Sequence, residues 1–233
     1  MTNLRISGLF ACVFALSIVA AITAQAQAET VLYSFGAVPD AQYPVGGVIM
    51  DKTGNLYGAT GGGGVSGFGA VFEVNAQGEN VLYSFGGPPV DGSTPLGGLM
   101  RDTAGNLYGT TAYGGSSNVC SSGVYGCGIV FEVAPAGTET VLHRFCVQSC
   151  QDGAEPQAGL VQDANGNLYG TAVIGGQYGH GTVFEVSPGG TESVLYNFTG
   201  GADGGSPAAS LLRDKKGNLY GTTLDGGIAN SSC

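Results

Sequence analysis

The sequence predicts an all-β protein: a β-propeller-like array of four-stranded antiparallel blades, with three complete units and a truncated fourth. The first observation is a repeat, since Gly-Asn-Leu-Tyr-Gly occurs at residues 54–58, 105–109, 166–170 and 217–221. The second is that four short strand patterns, joined by turn-like segments, fill each interval of about fifty residues. The third is that no segment of any length has helical periodicity. Such repetition is typical of propeller blades.

Each unit begins with a short run of small and apolar residues, at 46–50, 97–100, 159–161 and 210–212. We assign these runs to the innermost strand, where blades converge on an axis and leave little space for side chains. An Asp closes each run, and a tight turn leads into the second strand. The repeat-defining residues of this turn and strand are Asn55, Tyr57, Asn106, Tyr108, Asn167, Tyr169, Asn218 and Tyr220.

The two outer strands follow a glycine-rich loop. The third strand reads Val-Phe-Glu-Val at residues 71–74, 130–133 and 183–186. The outermost reads Val-Leu-x-x-Phe at residues 31–35, 81–85, 141–145 and 194–198. Alternating β-branched and aromatic residues favour strands. A β-solenoid is the rival architecture, but its coils usually have a shorter period and no hairpin signals.

The fourth unit has only its first two strand patterns. No Val-Phe-Glu-Val follows Gly221, and Cys233 lies 12 residues after it, much as Cys120 lies 11 residues after Gly109. We therefore predict that the chain is a fragment of a longer repeat protein, because a propeller usually closes its ring to remove sheet edges. Residues 31–35 would form the outer strand that closes such a ring.

Residues 1–28 have the features of a secretory signal peptide. Arg5 precedes an apolar run over residues 8–24, and Ala-Gln-Ala-Gln-Ala follows at 24–28. We predict cleavage there, which leaves a repeat domain over residues 29–233, a secreted or cell-surface location and no membrane span. An uncleaved anchor is the alternative, although the run is short for a span.

The composition excludes some partners. The chain has 44 Gly, only 10% charged residues and a net charge of −10. Its clustered apolar residues argue against disorder. Since no basic patch is present, we expect neither nucleic acid nor an anionic membrane as a partner.

Four cysteines cluster within 31 residues: Cys120, Cys127, Cys146 and Cys150. In an exported chain this cluster predicts disulfides, and the spacing differs from the paired C-x2-C of zinc knuckles, the alternative. Local pairing, Cys120 with Cys127 and Cys146 with Cys150, is slightly favoured because the two insertions look independent. Nested pairing stays open, since a hairpin would bring Cys127 near Cys146.

The combined pattern of Gly-Asn-Leu-Tyr-Gly-Thr-Thr, Gly-x-Val-Phe-Glu-Val, Val-Leu-Tyr-x-Phe and Asp-Gly-x-x-Pro resembles the bacterial extracellular GloVer tandem repeat, found in choice-of-anchor tandem repeat proteins. The resemblance covers residues 29–227. It implies an exported, propeller-like protein that often ends in an anchoring signal, which we expect to lie beyond the fragment given by residues 1–233. It transfers no catalytic residue. One element, Asp-x-x-Gly-Asn-Leu-Tyr, is also similar to NHL-type propeller blades.

Each candidate for chemistry has a plainer interpretation. Asp163-Ala164-Asn165-Gly166-Asn167 is similar to part of a calcium loop, but a capped turn is favoured because no downstream acid follows. The histidines, His143 and His180, belong to no catalytic motif, and His143 replaces an outer-strand Tyr. Glycosidase chemistry needs a unique pair of carboxylates. The glutamates Glu73, Glu132 and Glu185, with Glu29, Glu139 and Glu192 nearby, recur in the units, which favours a structural or solvated position.

The four repeated tyrosines could stack on sugars, although packing between blades is favoured. We expect a non-catalytic binding or surface-display module, with a cell-surface glycan or protein as partner and no cofactor or metal. A propeller enzyme of lyase, glycosidase or lactonase type, with its site on axial loops, is the alternative. A purely structural exported repeat is the third hypothesis. Specific function should lie where the units differ, in the loops at 61–69, 114–128 and 175–181.

Overall fold

The computed structural model describes residues 30–36, 39–116, 120 and 126–228. Contacts divide the chain into Met1–Leu32 and Tyr33–Cys233. Of the first part only residues 30–32 are described, and they form neither helix nor strand. The predicted signal peptide and Cys233 lie outside the described residues. Within the described ranges, no helix is long and apolar enough to cross a membrane.

The described residues contain seventeen strands and one short 3₁₀ turn. In chain order these are β1 Ala41–Pro44, β2 Ile49–Met50, β3 Leu56–Gly63, β4 Ala70–Asn75, β5 Gly78–Ser84, β6 Gly92–Ser93, β7 Met100–Arg101, β8 Leu107–Thr111, β9 Tyr113–Gly114, β10 Ile129–Val133, β11 Glu139–Arg144, the turn Cys150–Asp152, β12 Val161–Gln162, β13 Leu168–Ala172, β14 Thr182–Val186, β15 Glu192–Asn197, β16 Leu212–Arg213 and β17 Leu219–Tyr220.

Three antiparallel sheets repeat one strand order. Strands β7-β8-β10-β11 form the second sheet and β12-β13-β14-β15 the third; in the first, β2 and β1 both pair with β3, followed by β4 and β5. The register also repeats, because a glycine of the second strand always stands opposite the Phe of the third: Gly58 with Phe72, Gly109 with Phe131 and Gly170 with Phe184. The predicted all-β, propeller-like array of four-stranded blades is thus confirmed.

The small residues that come just before the innermost strands of successive units lie against one another. A Cβ atom on Gly46 would lie 2.7 Å from the carbonyl oxygen of Gly97, and one on Gly97 would lie 2.5 Å from the carbonyl carbon of Ala158. Real Cβ atoms do not approach backbone so closely, so these positions require glycine. The predicted convergence of the small-residue runs therefore has a direct steric basis.

Aromatic pairs join each unit to the next. Phe85 of β5's C-terminal flank packs on Phe131 with ring centroids 5.1 Å apart, and Phe35 packs on Phe72 at 5.0 Å. Phe85 and Phe131 are fully buried. Edge-to-face pairs of this kind stabilise beyond the area they bury. The core is therefore a chain of contacts between neighbouring blades.

Two features differ from the expected strand pattern. Residues 33–35 form no strand in the structure, because a strand requires a hydrogen-bonded neighbour and none of the described residues supplies one. Strand β1, which the sequence did not predict, instead pairs Ala41 with Gly63 at the far end of β3. In the fourth unit, the described residues contribute the two strands β16 and β17.

Candidate functional site

The two ends of each sheet differ in their sequence variation. The second strand of each unit starts after an Asp-Asn turn and runs toward a glycine-rich loop. We call the end with residues 51–55, 102–106, 163–167 and 214–218 the turn rim, and the end with the described residues 64–69, 115–116, 126–128 and 176–181 the loop rim. The turn rim keeps one length and the pattern Asp-x-x-Gly-Asn in all four units, whereas the loop rim varies in length and residue type.

On the turn rim, the repeated Asp binds its own turn. Asp102 Oδ1 accepts the backbone N–H of Asn106 at 2.8 Å, and Oδ2 accepts the Asn106 side-chain amide at 2.9 Å and the Tyr108 hydroxyl at 3.2 Å. The Thr53 hydroxyl lowers the pKa of Asp51 to about 2. Since N–H and O–H donors engage these carboxylate oxygens, the geometry is that of the capped turn. It does not assemble the converging free oxygens of a calcium loop.

The repeated tyrosine rings lie between units. The Arg101 guanidinium lies 5.2 Å from the ring centroid of Tyr57, and Arg213 lies 5.5 Å from that of Tyr169. Tyr57 is 8% exposed, whereas Tyr220, at the open end of the array, is 53% exposed. Covered ring faces cannot stack on sugars, so the geometry at Tyr57 and Tyr169 matches the packing interpretation.

A second polar cluster, which the sequence analysis missed, connects neighbouring units near the loop rim. The Tyr83 hydroxyl donates to Asp91 Oδ2 at 2.9 Å, and the Tyr33 hydroxyl to Asp40 Oδ2 at 3.1 Å. His143 takes the place of the tyrosine, with Nε2 3.1 Å from Asp152 Oδ2. His143 is partly buried and therefore keeps, in the third cluster, the contact with Asp that the outer-strand Tyr makes elsewhere.

A glutamate from the following outer strand completes each cluster. Burial, followed by the charge of Asp91, raises the pKa of Glu139 to about 7. Burial and the neighbouring Asp40 likewise raise the pKa of Glu79 to about 7. Glu139 Oε1 and Glu192 Oε1 are buried without a hydrogen-bond partner among the described residues. Glu139 and Glu192 are therefore partly buried, which agrees with the structural one of the two positions considered for them.

The cysteines form two bonded pairs. Cys120 is bonded to Cys127 and Cys146 to Cys150, with Cα atoms 5.3 and 4.1 Å apart. This is the local connectivity. Within the described ranges, Cys127, Cys146 and Cys150 are the one group of three or more potential metal ligands whose ligand atoms lie close together. A bonded sulfur is no thiolate, so this pairing leaves no zinc ligands there.

The loop rim exposes side chains that differ between units. Residues 65–68 and 177–180 are exposed, and their tips carry Val65 and Tyr178. Behind the tips, Phe68 forms a parallel β-bridge with Gly63, and His180 forms the same bridge with Gly175. His180 therefore occupies the position of Phe68. A Cβ atom on Gly200 would lie 2.6 Å from the His180 ring, so this histidine packs against backbone.

A family model described as the Gloeobacter/Verrucomicrobia repeat matches residues 15–120 and again 118–232, which confirms the predicted repeat resemblance. No curated protein matches the sequence. One similar solved structure is of a candidate gluconolactonase, with 16% identity and TM-score 0.45, covering 76% of this chain and 56% of that one. Another is a protein of unknown function from Dyadobacter fermentans DSM 18053, with 13% identity, TM-score 0.46 and coverages of 72% and 53%. The chain spans about half the length of these two proteins.

Proposed function

The chain belongs to the Gloeobacter/Verrucomicrobia repeat family, and from this premise we propose that it is an exported, non-catalytic binding or surface-display module. Its partner is a cell-surface glycan or protein, held at the loop rim. The repeated turns and interblade contacts build the scaffold, and the loops at its rim supply specificity, which is the usual division of labour between sheets and loops.

One observation carries this proposal. The repeated Asp, Asn and Tyr side chains of the turn rim bond to one another, as Asp102 does with Asn106 and Tyr108. The loop tips differ instead, and Val65 and Tyr178 are 77% and 51% exposed there. Exposed apolar and aromatic side chains beside polar loops are typical of recognition surfaces.

The test measures retention of the purified chain on peptidoglycan, capsular polysaccharide and immobilised bacterial surface proteins. The double variant Val65→Ser/Tyr178→Ser should weaken binding to the retained probe by about tenfold, equivalent to about 1.4 kcal/mol. Lys52→Ser/Lys216→Ser, on the exposed turn rim, is the matched control and should bind like the native chain. Equal loss in both variants, or retention on none of the probes, contradicts the proposal.

A catalytic alternative is favoured by one observation, the raised pKa of Glu139 beside Asp91. A carboxyl group that titrates near neutrality suits a general acid. The same arrangement recurs at Glu79 and Asp40, and a hydrolytic site needs only one such pair. Hydrolysis of a lactone or glycoside by the native chain, abolished in Glu139→Gln but kept in Glu79→Gln, would favour the enzyme.

A further inference from the structure

A groove lies beside the fourth unit, where its two described strands end in an open edge. Its volume is about 460 Å³, and its lining includes Val183, Phe198, Pro207, Leu211 and Gly221. The rest of the lining includes Leu219, Asp203 and three threonines, and β17, Leu219–Tyr220, has no strand partner on this side among the described residues. Unpaired strand edges are templates for further strands.

The equivalent space is filled in the other three units. A Cβ atom on Gly58, Gly109 or Gly170 would lie 2.5–2.6 Å from the Cζ atom of the Phe opposite, namely Phe72, Phe131 or Phe184. On Gly221 the one described atom within 4 Å is Leu211 Cδ2, at 2.9 Å, a contact that Leu99 and Leu160 also make in the complete units. The glycine that makes space for a Phe ring is therefore present in the fourth unit, and no described ring occupies that space.

The third unit also presents its half of the Phe–Phe contact that joins neighbouring units. Phe85 and Phe145 each pack edge-on against the third-strand Phe of the next unit, at 5.1 and 5.0 Å, and both are fully buried. Phe198 makes the preceding contact with Tyr196 at 5.1 Å, but it stays only partly buried. The groove thus continues the series of interfaces that join the units, with one partner absent from the described residues.

We propose that this groove accepts an extended strand of sequence Val-Phe-Glu-Val, which adds to the sheet as an antiparallel neighbour of β17. The register of the three complete blades places its Phe opposite Gly221, its Glu opposite Tyr220 and its final Val opposite Leu219. In the first unit, the Tyr57 hydroxyl donates to Glu73 Oε1 at 3.1 Å. Tyr220, whose hydroxyl donates to Asp214 Oδ2 at 3.1 Å as Tyr57 does to Asp51, occupies the equivalent position beside the incoming Glu, and backbone ladder bonds supply the main affinity.

The probe is a fluorescein-labelled peptide with the sequence of residues 181–186, Gly-Thr-Val-Phe-Glu-Val, titrated with the full chain by fluorescence anisotropy. We expect saturable binding that weakens at least about tenfold when the peptide Phe is replaced by Ser, since the ring then no longer fills the groove. Gly221→Val should weaken binding similarly, because its side chain enters the space of the ring. Gly189→Val is the control, since its Cβ would contact only Ser187 Oγ, at 3.9 Å.

Equal binding of the Phe and Ser peptides, equal binding by Gly221→Val and the native chain, or no saturation up to the solubility limit overturns the proposal. Sedimentation of the native chain tests the other candidate occupant, a second copy of the chain. If the native chain dimerises and Gly221→Val stays monomeric, a second copy fills the groove and the peptide assignment is wrong. The loop-tip variant Val65→Ser/Tyr178→Ser should bind the peptide normally, so this result is independent of the proposed loop-rim function.

Discussion

Phe145 packs edge-on against Phe184, with ring centroids 5.0 Å apart and an interplanar angle of 62°. The two residues come from successive units, and both are fully buried. Their contact therefore stabilises the boundary between the blades more than either blade alone. Stability of repeat arrays depends on such neighbour interfaces.

Phe145→Ala should lower the free energy of unfolding by about 3–5 kcal/mol, because it removes a buried ring and leaves a cavity. Phe198→Ala, the same change at a partly buried ring, should cost only about 1–2 kcal/mol. Urea denaturation followed by circular dichroism measures both. Similar losses in the two variants would contradict an interface role for Phe145.

His143 should be replaceable by Tyr but not by Phe. In the previous unit, the hydroxyl of the equivalent Tyr83 donates to Asp91. A Tyr at position 143 would supply the same donor to Asp152, whereas a Phe would leave the partly buried Asp152 without this partner. We expect His143→Tyr to change stability little and His143→Phe to cost about 1.5–3 kcal/mol, the range for a lost hydrogen bond to a charged group. Thermal unfolding of the two variants provides the comparison, and an equal loss would mean that only ring packing matters.

Stability should be highest near about pH 4–5. Burial raises the pKa of Glu139 from 4.5 to about 7, so the folded state holds this proton more tightly than the unfolded chain. The resulting stability is complete below pH 4.5 and is lost as the pH rises through about 7. The hydrogen bond from Thr199 lowers the pKa of Asp203 to about 2, so stability also falls as the pH drops from 3.8 toward 2.

Glu139→Gln tests this assignment. The variant should lose less stability than the native chain between about pH 5 and pH 7.5, because its amide does not titrate. Denaturant titrations at several pH values give the slope directly. An unchanged slope would show that Glu139 does not control the alkaline side of the profile.

The repeat itself was predictable because each blade uses the same residues for the same steric reasons. Small residues mark the strand that approaches its neighbour, as Gly97 approaches Ala158, and Asp102 with Asn106 marks the turn. These interactions are local or strictly periodic, so one sequence shows them. The same counting of elements predicts the two strands, β16 and β17, that the described residues of the fourth unit form.

The Tyr-Asp-Glu clusters could not be recognised in the same way. The Asp follows the outer-strand Tyr or His by 7, 8, 9 and 7 residues, so it keeps no fixed spacing. The Glu comes from the next unit, and only the fold brings it close. A usable signal was present, since an acidic residue follows the aromatic or His within this window in all four units. β1 was missed because its pairing is equally nonlocal.

The local disulfide pairing makes a prediction that tryptic digestion can decide. Between Arg101 and Arg213, the chain has one cleavage site, Arg144, which separates Cys120 and Cys127 from Cys146 and Cys150. With the pairs found in the structure, unreduced digestion releases residues 102–144 and 145–213 as separate peptides, each lighter than its reduced form by two hydrogen atoms. Both of the other connectivities would hold these peptides together until a reductant is added, because each joins a cysteine before Arg144 to one after it. A mass equal to the two peptides joined would therefore show that disulfides connect the two loops to each other. Separate peptide masses would show that each disulfide closes its own loop.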